Sequence, residues 1–214
     1  MKRHASFFIF IILLGLTGCS RKSMMRNYYL LVPTSIPTSG YLLEKIGEPL
    51  PYKVDVRDFQ VVRAFEQTRM AIRSKSNELN YYFYHHWSVR PSSLIPDMLH
   101  FEMVQSGLFQ ECRRGFTHQP DFIIQGRITQ IERVHTSEIP AAHIAGHFEF
   151  FNEEKQSVVL KHFFDRTAPL GKNESMNNFA RTLSDVIQHE ISTFQLKIVD
   201  YFKESSQKES AESK

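Results

Sequence analysis

The sequence is poor in the residues that usually advertise catalysis or covalent cross-linking. Two cysteines in 214 residues, Cys19 and Cys112, make no disulfide framework. Nine glycines are scattered, and none falls into G-x-G-x-x-G or G-x-x-x-x-G-K-[ST], so the phosphate-cradling loops of nucleotide enzymes are missing. No G-x-S-x-G nucleophile elbow occurs either. Charge of one sign is also scarce. The formal charge is +3, but Lys2 and Arg3 sit in an N-terminal targeting segment, and the 196 residues after Gly18 carry 24 basic against 23 acidic side chains. That balance excludes nucleic-acid binding driven by net charge. A membrane-spanning run is absent too. Ala5–Leu16 is 12 residues, roughly 18 Å of helix at about 1.5 Å per residue, where a span needs about 20 apolar residues. What remains is 42% apolar, enough for one packed core and too much for a disordered chain. The length fits one domain.

The amino terminus carries the most information. Met1-Lys-Arg-His4 is basic and Phe7–Leu14 is unbroken apolar sequence, the order of a cleavable secretory signal. Leu16-Thr17-Gly18-Cys19-Ser20 follows. Leu at −3, small residues at −2 and −1, and then Cys resemble the lipobox of bacterial lipoproteins. The residue types suit that chemistry: a thiolate is a strong nucleophile for thioether formation, and small neighbours admit a peptidase. The resemblance implies cleavage before Cys19 and its acylation. Several acyl chains, each contributing about 0.8 kcal/mol per buried CH₂, hold a protein on a bilayer where one chain does not. Ser20, in place of Asp after the modified Cys, favours the outer membrane. Residues 1–18 are therefore expected to be a signal peptide and residues 19–27 the lipidated Cys with its polar, basic tether.

Beyond the tether, hydrophobic period predicts the elements. Tyr28–Val32 reads as a short strand before Pro33. Tyr52, Val54 and Val56 alternate with Lys53, Asp55 and Arg57 as a half-buried strand. Residues 69–75 and 81–89 read as a hairpin around 76–80. Ser92 or Ser93 is expected to cap a helix to about Ser106, with Leu94, Met98, Phe101 and Leu108 as its stripe and Gly107 closing it. Residues 121–134 form a long strand, and 142–151 with 158–164 a second hairpin. The strongest helical pattern is 175–203, where Phe179, Leu183, Val186, Ile187, Ile191, Phe194, Ile198 and Tyr201 recur every three or four residues. Residues 205–214 are polar and expected to be disordered. The fold class is α+β: a mostly antiparallel sheet with two main helices on one face, in a single periplasmic domain over residues 28–204.

Candidate chemistry is thin. His189-Glu190 begins like H-E-x-x-H, but Thr193 stands at the second ligand position. His143 and His147 share a predicted strand, where four residues cover roughly 13 Å, so a bond length of about 2 Å to one zinc ion rules out a shared site. They read as a solvated face. His85 and His86 point to opposite faces. No cofactor or metal is expected. Tyr81–Tyr84 with Trp87 is the densest aromatic segment. Core packing accounts for it first, and Tyr82, Tyr84 and Trp87 are candidates for a partner-facing patch, since aromatics are enriched at binding surfaces.

Cys19 with its lipobox, Tyr28-Tyr-Leu-Leu31, Val54–Phe59, Tyr81–Trp87, Arg90-Pro91 opening a helix that ends at Ser106-Gly-Leu-Phe109, and Asp121–Ile131 with Gly126 inside it occur in this order. The ordered set resembles the ABC-type transport auxiliary lipoproteins, accessory components of MCE (mammalian cell entry) transport systems. The resemblance implies a non-catalytic, acyl-anchored protein on the periplasmic face of the outer membrane. Its implied partners are an MCE-domain protein and, through it, an inner-membrane permease and ATPase. Together they would move lipid or another hydrophobic substrate between membranes, and a homo-oligomer is compatible with the family. Two alternatives stay open: an outer-membrane assembly lipoprotein of the lipopolysaccharide-assembly kind, and a periplasmic hydrolase.

Overall fold

A computed structural model describes residues 25–33, 42, 46–115, 119–135 and 139–212. In chain order the strands are β1 (Asn27–Tyr29), β2 (Leu50–Val56), β3 (Gln60–Val61), β4 (Arg69–Lys75) and β5 (Glu78–Trp87). Helix α1 (Pro91–Ser106) follows. Then come β6 (Phe109–Arg113), β7 (Phe122–Val134), β8 (Ala141–Asn152), β9 (Ser157–Pro169) and helix α2 (Met176–Glu212).

Strand β7 is the hub of one mixed nine-stranded sheet. One edge of β7 carries β8 and then β9 in long antiparallel ladders. Its other edge takes three short parallel partners in succession: β2 at residues 122–124, β3 at 127–128 and β4 at 133–134. The sheet therefore forks, with β6 flanking β2 on one branch and β5 then β1 flanking β4 on the other. Most paired residues lie in the antiparallel ladders, in keeping with the expected α+β class.

The two long strands lie close together at their glycines, Gly126 opposite Phe148 and Gly146 opposite Ile128. A Cβ on Gly126 would fall 2.7 Å from the His147 carbonyl oxygen, and one on Gly146 would collide with the Arg127 carbonyl. Close backbone approach of this kind excludes larger residues. A bulge between Ile128 and Gln130 bends β7 locally.

Helix α2 follows its predicted stripe. Val186 and Tyr201 at the margin of the stripe are half-buried, whereas Phe179, Leu183, Ile187, Ile191, Phe194 and Ile198 are buried. They meet β8 and β9 through an aromatic cluster in which the Phe122 and Phe150 rings stack at 4.4 Å and Phe148 packs 5.5 Å from Phe194. Fully burying each such side chain contributes roughly 1.5–3 kcal/mol. Helix α1 joins α2 through buried polar contacts: Gln188 Nε2 donates to Glu102 Oε1 at 2.7 Å, and Gln195 Nε2 to the Glu102 carbonyl at 3.1 Å.

Several local expectations are corrected. Neither Ser92 nor Ser93 caps α1. Pro91 opens the helix behind an extended Arg90, because its fixed φ already suits the first turn. The two hydroxyls donate instead to Glu66 at 2.7 Å and Asp58 at 3.3 Å. Phe101 is off the buried stripe and exposed, whereas Ile95, Leu99 and Met103 are buried. Gly107 does close the helix, with φ 62°. The loop between β4 and β5 is the two-residue turn Ser76-Asn77. Helix α2 runs on to Glu212, through most of the tail expected to be disordered, with the Ser205 and Ser206 hydroxyls donating back to the Tyr201 and Phe202 carbonyls. Strand β1 ends at Tyr29, and the chain to Pro33 continues beside α2.

Candidate functional site

The face of β7–β9 opposite α2 is open and charged. A cavity of about 400 Å³ there is lined by Arg57, Gln125, Arg127, His147, Glu149 and Lys161, among others. Glu149 is its organiser, accepting from Lys161 Nζ at 2.7 Å, Gln125 Nε2 at 3.0 Å and His147 Nε2 at 3.2 Å. Burial pushes the Glu149 carboxyl up, but these hydrogen bonds outweigh it and hold the group below the usual carboxylate range. Burial, then the Lys161 charge, pushes His147 down. The result is a neutral imidazole beside an ionised, fully engaged carboxylate. Its charged and amide side chains can recognise polar groups.

His143, also on β8, is separate from His147 in its contacts. Its Nδ1 faces Glu132 Oε1 at 3.4 Å and its Nε2 faces Asp165 Oδ1 at 2.9 Å. Arg73 Nε donates to the same Glu132 oxygen at 2.8 Å. The Glu132 hydrogen bond raises His143, burial opposes it, and Asp165 adds to the rise. The two histidines thus belong to carboxylate networks, a correction to their reading as a freely solvated face. Among the described residues no three His, Cys, Asp or Glu side chains are placed to hold a metal ion.

Under α2 lies a cluster that the sequence reading missed. His162 is buried with Leu160 and Phe164 on the helix-facing side of β9. Its Nε2 is 2.8 Å from Glu190 Oε2, and Lys197 Nζ is 2.9 Å from its Nδ1. An ammonium only donates, so Nδ1 must accept and Nε2–H must donate to Glu190. Burial lowers the pKa of His162 in agreement with that neutral form. Arg166 Nε donates to the other Glu190 oxygen at 2.6 Å. The available signal was a histidine in phase with apolar residues 160 and 164 and a Glu-His pair on the facing helix. Glu190 and His189 do not act together: Glu190 is buried, His189 exposed.

The aromatic segment does not form one surface. Trp87 is 2% exposed and packs 6.0 Å from the Phe179 ring, so its assignment to a partner-facing patch is corrected to core packing. Tyr82 is half-buried and accepts from Arg133 Nη1 at 3.2 Å. Tyr84 is half-buried against Phe83, whose own ring is 65% exposed. His85 and His86 do diverge: His85 meets the Tyr29 hydroxyl at 2.9 Å, whereas His86 is buried and faces the Phe83 carbonyl. Cys19 lies outside the described residues. Cys112 is partly buried, and burial followed by the Asp55 charge pushes its thiol up to about 12.

A second missed feature is the outer side of the N-terminal segment. Tyr28, Leu30 and Val32 are exposed in alternation with inward Tyr29 and buried Leu31. With Ala180, Arg181 and Ser184 of α2 they bound a groove of about 350 Å³.

No protein-family model and no curated protein matches the chain. Its fold does have solved counterparts. Protein XCC0632 from Xanthomonas campestris, a DUF330 protein, superposes with a TM-score of 0.70 at 15% identity, over 85% of this chain and 99% of its own. A second structure, of an uncharacterized protein, superposes at 0.62 with 11% identity, over 81% of this chain and 99% of its own. DUF330 is the ABC-type transport auxiliary lipoprotein component family. At these identities the likeness is one of fold, and the fold is DUF330-like.

Proposed function

We propose that this chain is a lipid-anchored, non-catalytic subunit of an ABC/MCE-type transport system, held by Cys19 on the periplasmic face of the outer membrane. One observation carries the reading: a DUF330-like fold stands directly behind a lipobox. The physical need is plain. A lipid tail exposed to water costs roughly 0.8 kcal/mol per CH₂, so transfer between two membranes requires a covered route fixed at both ends. In this scheme ATP is consumed by an inner-membrane ATPase, an MCE-domain protein bridges the periplasm, and this domain receives it beneath the outer membrane. The charged side chains of the open face suit docking, because they are already paired with one another and keep their geometry when a polar partner arrives.

The test is chemical cross-linking in the intact envelope followed by purification through the full-length, acylated protein. Recovery of an MCE-domain protein with its permease and ATPase is the expected result. Recovery of an outer-membrane β-barrel in their place would favour an assembly lipoprotein and overturn the proposal.

A further inference from the structure

The chain from Asn27 to Pro33 is apolar on both sides, yet one side faces solvent. Tyr29 and Leu31 point inward, where the Tyr29 hydroxyl meets His85 Nδ1 at 2.9 Å and Leu31 is buried. Tyr28, Leu30 and Val32 point outward with 61%, 58% and 53% of their surface exposed. A strand with one wet face normally carries polar residues there, and a contiguous exposed apolar row marks a surface that meets something. The row is held in place. β1 is hydrogen-bonded to β5, and Val32 N–H donates to Ser184 Oγ of α2 at 3.1 Å.

Charge and chain length say what it meets. From Met1 to Leu43 the sequence holds no acidic residue, while Arg21, Lys22 and Arg26 precede the row. Arg181 borders the groove beneath it, with Asp185 one helical turn further on. Tyr28 lies nine positions after Cys19. Nine fully extended residues reach about 30 Å. Once Cys19 is acylated, the row stays within that reach of the bilayer surface, where an individually weak contact becomes intramolecular. Tyrosine suits that boundary, having an apolar ring and a polar tip.

We infer that the Tyr28–Leu30–Val32 row is a bilayer-contact surface, seated in the headgroup region of the membrane that carries the anchor and drawn to anionic lipid by Arg26 and Arg181. The inference rests on the lipid-anchor reading above. It sets the orientation of the domain, laying the β1 edge and the start of α2 on the membrane and leaving the charged face of β7–β9 for a partner. A second copy packed face to face about a two-fold axis is the less fitting occupant, because it would bring Arg26 and Arg181 against their own counterparts.

Site-directed spin labelling tests this on full-length protein whose Cys19 acylation has been verified by mass spectrometry. The protein is reconstituted in vesicles of phosphatidylethanolamine and phosphatidylglycerol. Nitroxides are placed at Leu30→Cys and Val32→Cys, with Lys155→Cys in the β8–β9 turn as control, all in a Cys112→Ala background. The expected result is a several-fold rise in the ratio of oxygen to nickel-chelate collisions at positions 30 and 32, none at 155, and a smaller rise without phosphatidylglycerol. Labels at 30 and 32 that stay as wet as 155 on acylated protein would overturn this inference alone. Dipolar broadening between copies at those positions, in detergent and vesicles alike, would assign the row to a second copy and overturn it as well. An unacylated Cys19 would overturn the anchor reading and this inference with it.

Discussion

Replacing Glu190 with alanine tests how α2 is fastened to the sheet. The carboxylate accepts from His162 Nε2 at 2.8 Å and Arg166 Nε at 2.6 Å, with His162 and Glu190 both buried. Arg166 lies at the surface and can turn to water, so its lost contact is not counted. His162 cannot. Its Nε2–H is left without an acceptor in the interior, and an orphaned buried donor costs about 1–3 kcal/mol. For a domain of this size each kcal/mol lowers Tm by roughly 2–4 °C, so a fall of about 2–12 °C is expected by circular dichroism at pH 7.5. Burial raises the Glu190 carboxyl, but the Arg166 and His162 hydrogen bonds dominate and depress it. A depressed carboxyl contributes stability that is present above its unfolded pKa, about 4.3, and lost as pH falls through the folded value. The gap between parent and variant should therefore be full at pH 6–8 and shrink in acid. Combining His162→Phe with Glu190→Leu replaces the polar group by apolar packing and should recover most of the loss. A Glu190→Ala variant within about 0.5 kcal/mol of the parent, or a gap that widens in acid, would refute the reasoning.

Other outcomes follow from the same contacts. His143 is raised, first by its Glu132 hydrogen bond and then, against burial, by Asp165. Its contribution is fully present below the ordinary imidazole pKa of about 6.5 and is lost as pH rises through the folded value. The Tm gap between parent and His143→Gln should thus be larger at pH 5.5 than at pH 8.5, and an inverted trend would contradict the carboxylate network. Trp87→Ala should cost about 3–5 kcal/mol in urea unfolding, while Phe83→Ser, on an exposed ring, should stay within about 0.5 kcal/mol; similar losses would contradict the assignment of Trp87 to the core. Gly146→Ala should lower stability by more than 1 kcal/mol, because its methyl meets the Arg127 carbonyl across the β7–β8 ladder. A neutral result would show that the ladder can spread there.

The elements that sequence made legible are those whose period is long enough to speak for itself. Phe179 through Ile198 repeat over more than five turns and bury the face they predict. Residues 122–134 speak less clearly, since Ile123 is buried beside Phe122 and Ile124 and the bulge after Ile128 interrupts the period. Partner choice was hidden, since the short parallel pairings of β2, β3 and β4 along β7 arise from chain connections that no local pattern records. The aromatic run Tyr81–Trp87 misled because Phe83 and Trp87 share the two-residue phase of a strand, and the register irregularity of β5 against β4 between Tyr81 and His86 leaves Trp87 buried against Phe179 and Phe83 exposed. His162 was overlooked for a similar reason. Its phase with Leu160 and Phe164 marked it as inward, but its partners Glu190 and Lys197 come from a helix whose docking register is tertiary information.

The most direct test of the proposed role is intact-mass and peptide spectrometry of the protein isolated from its native envelope. An N-terminus beginning at Cys19, carrying a thioether-linked diacylglyceryl group and an amide-linked acyl chain, is predicted. A free Cys19 thiol with residues 1–18 still attached would contradict it.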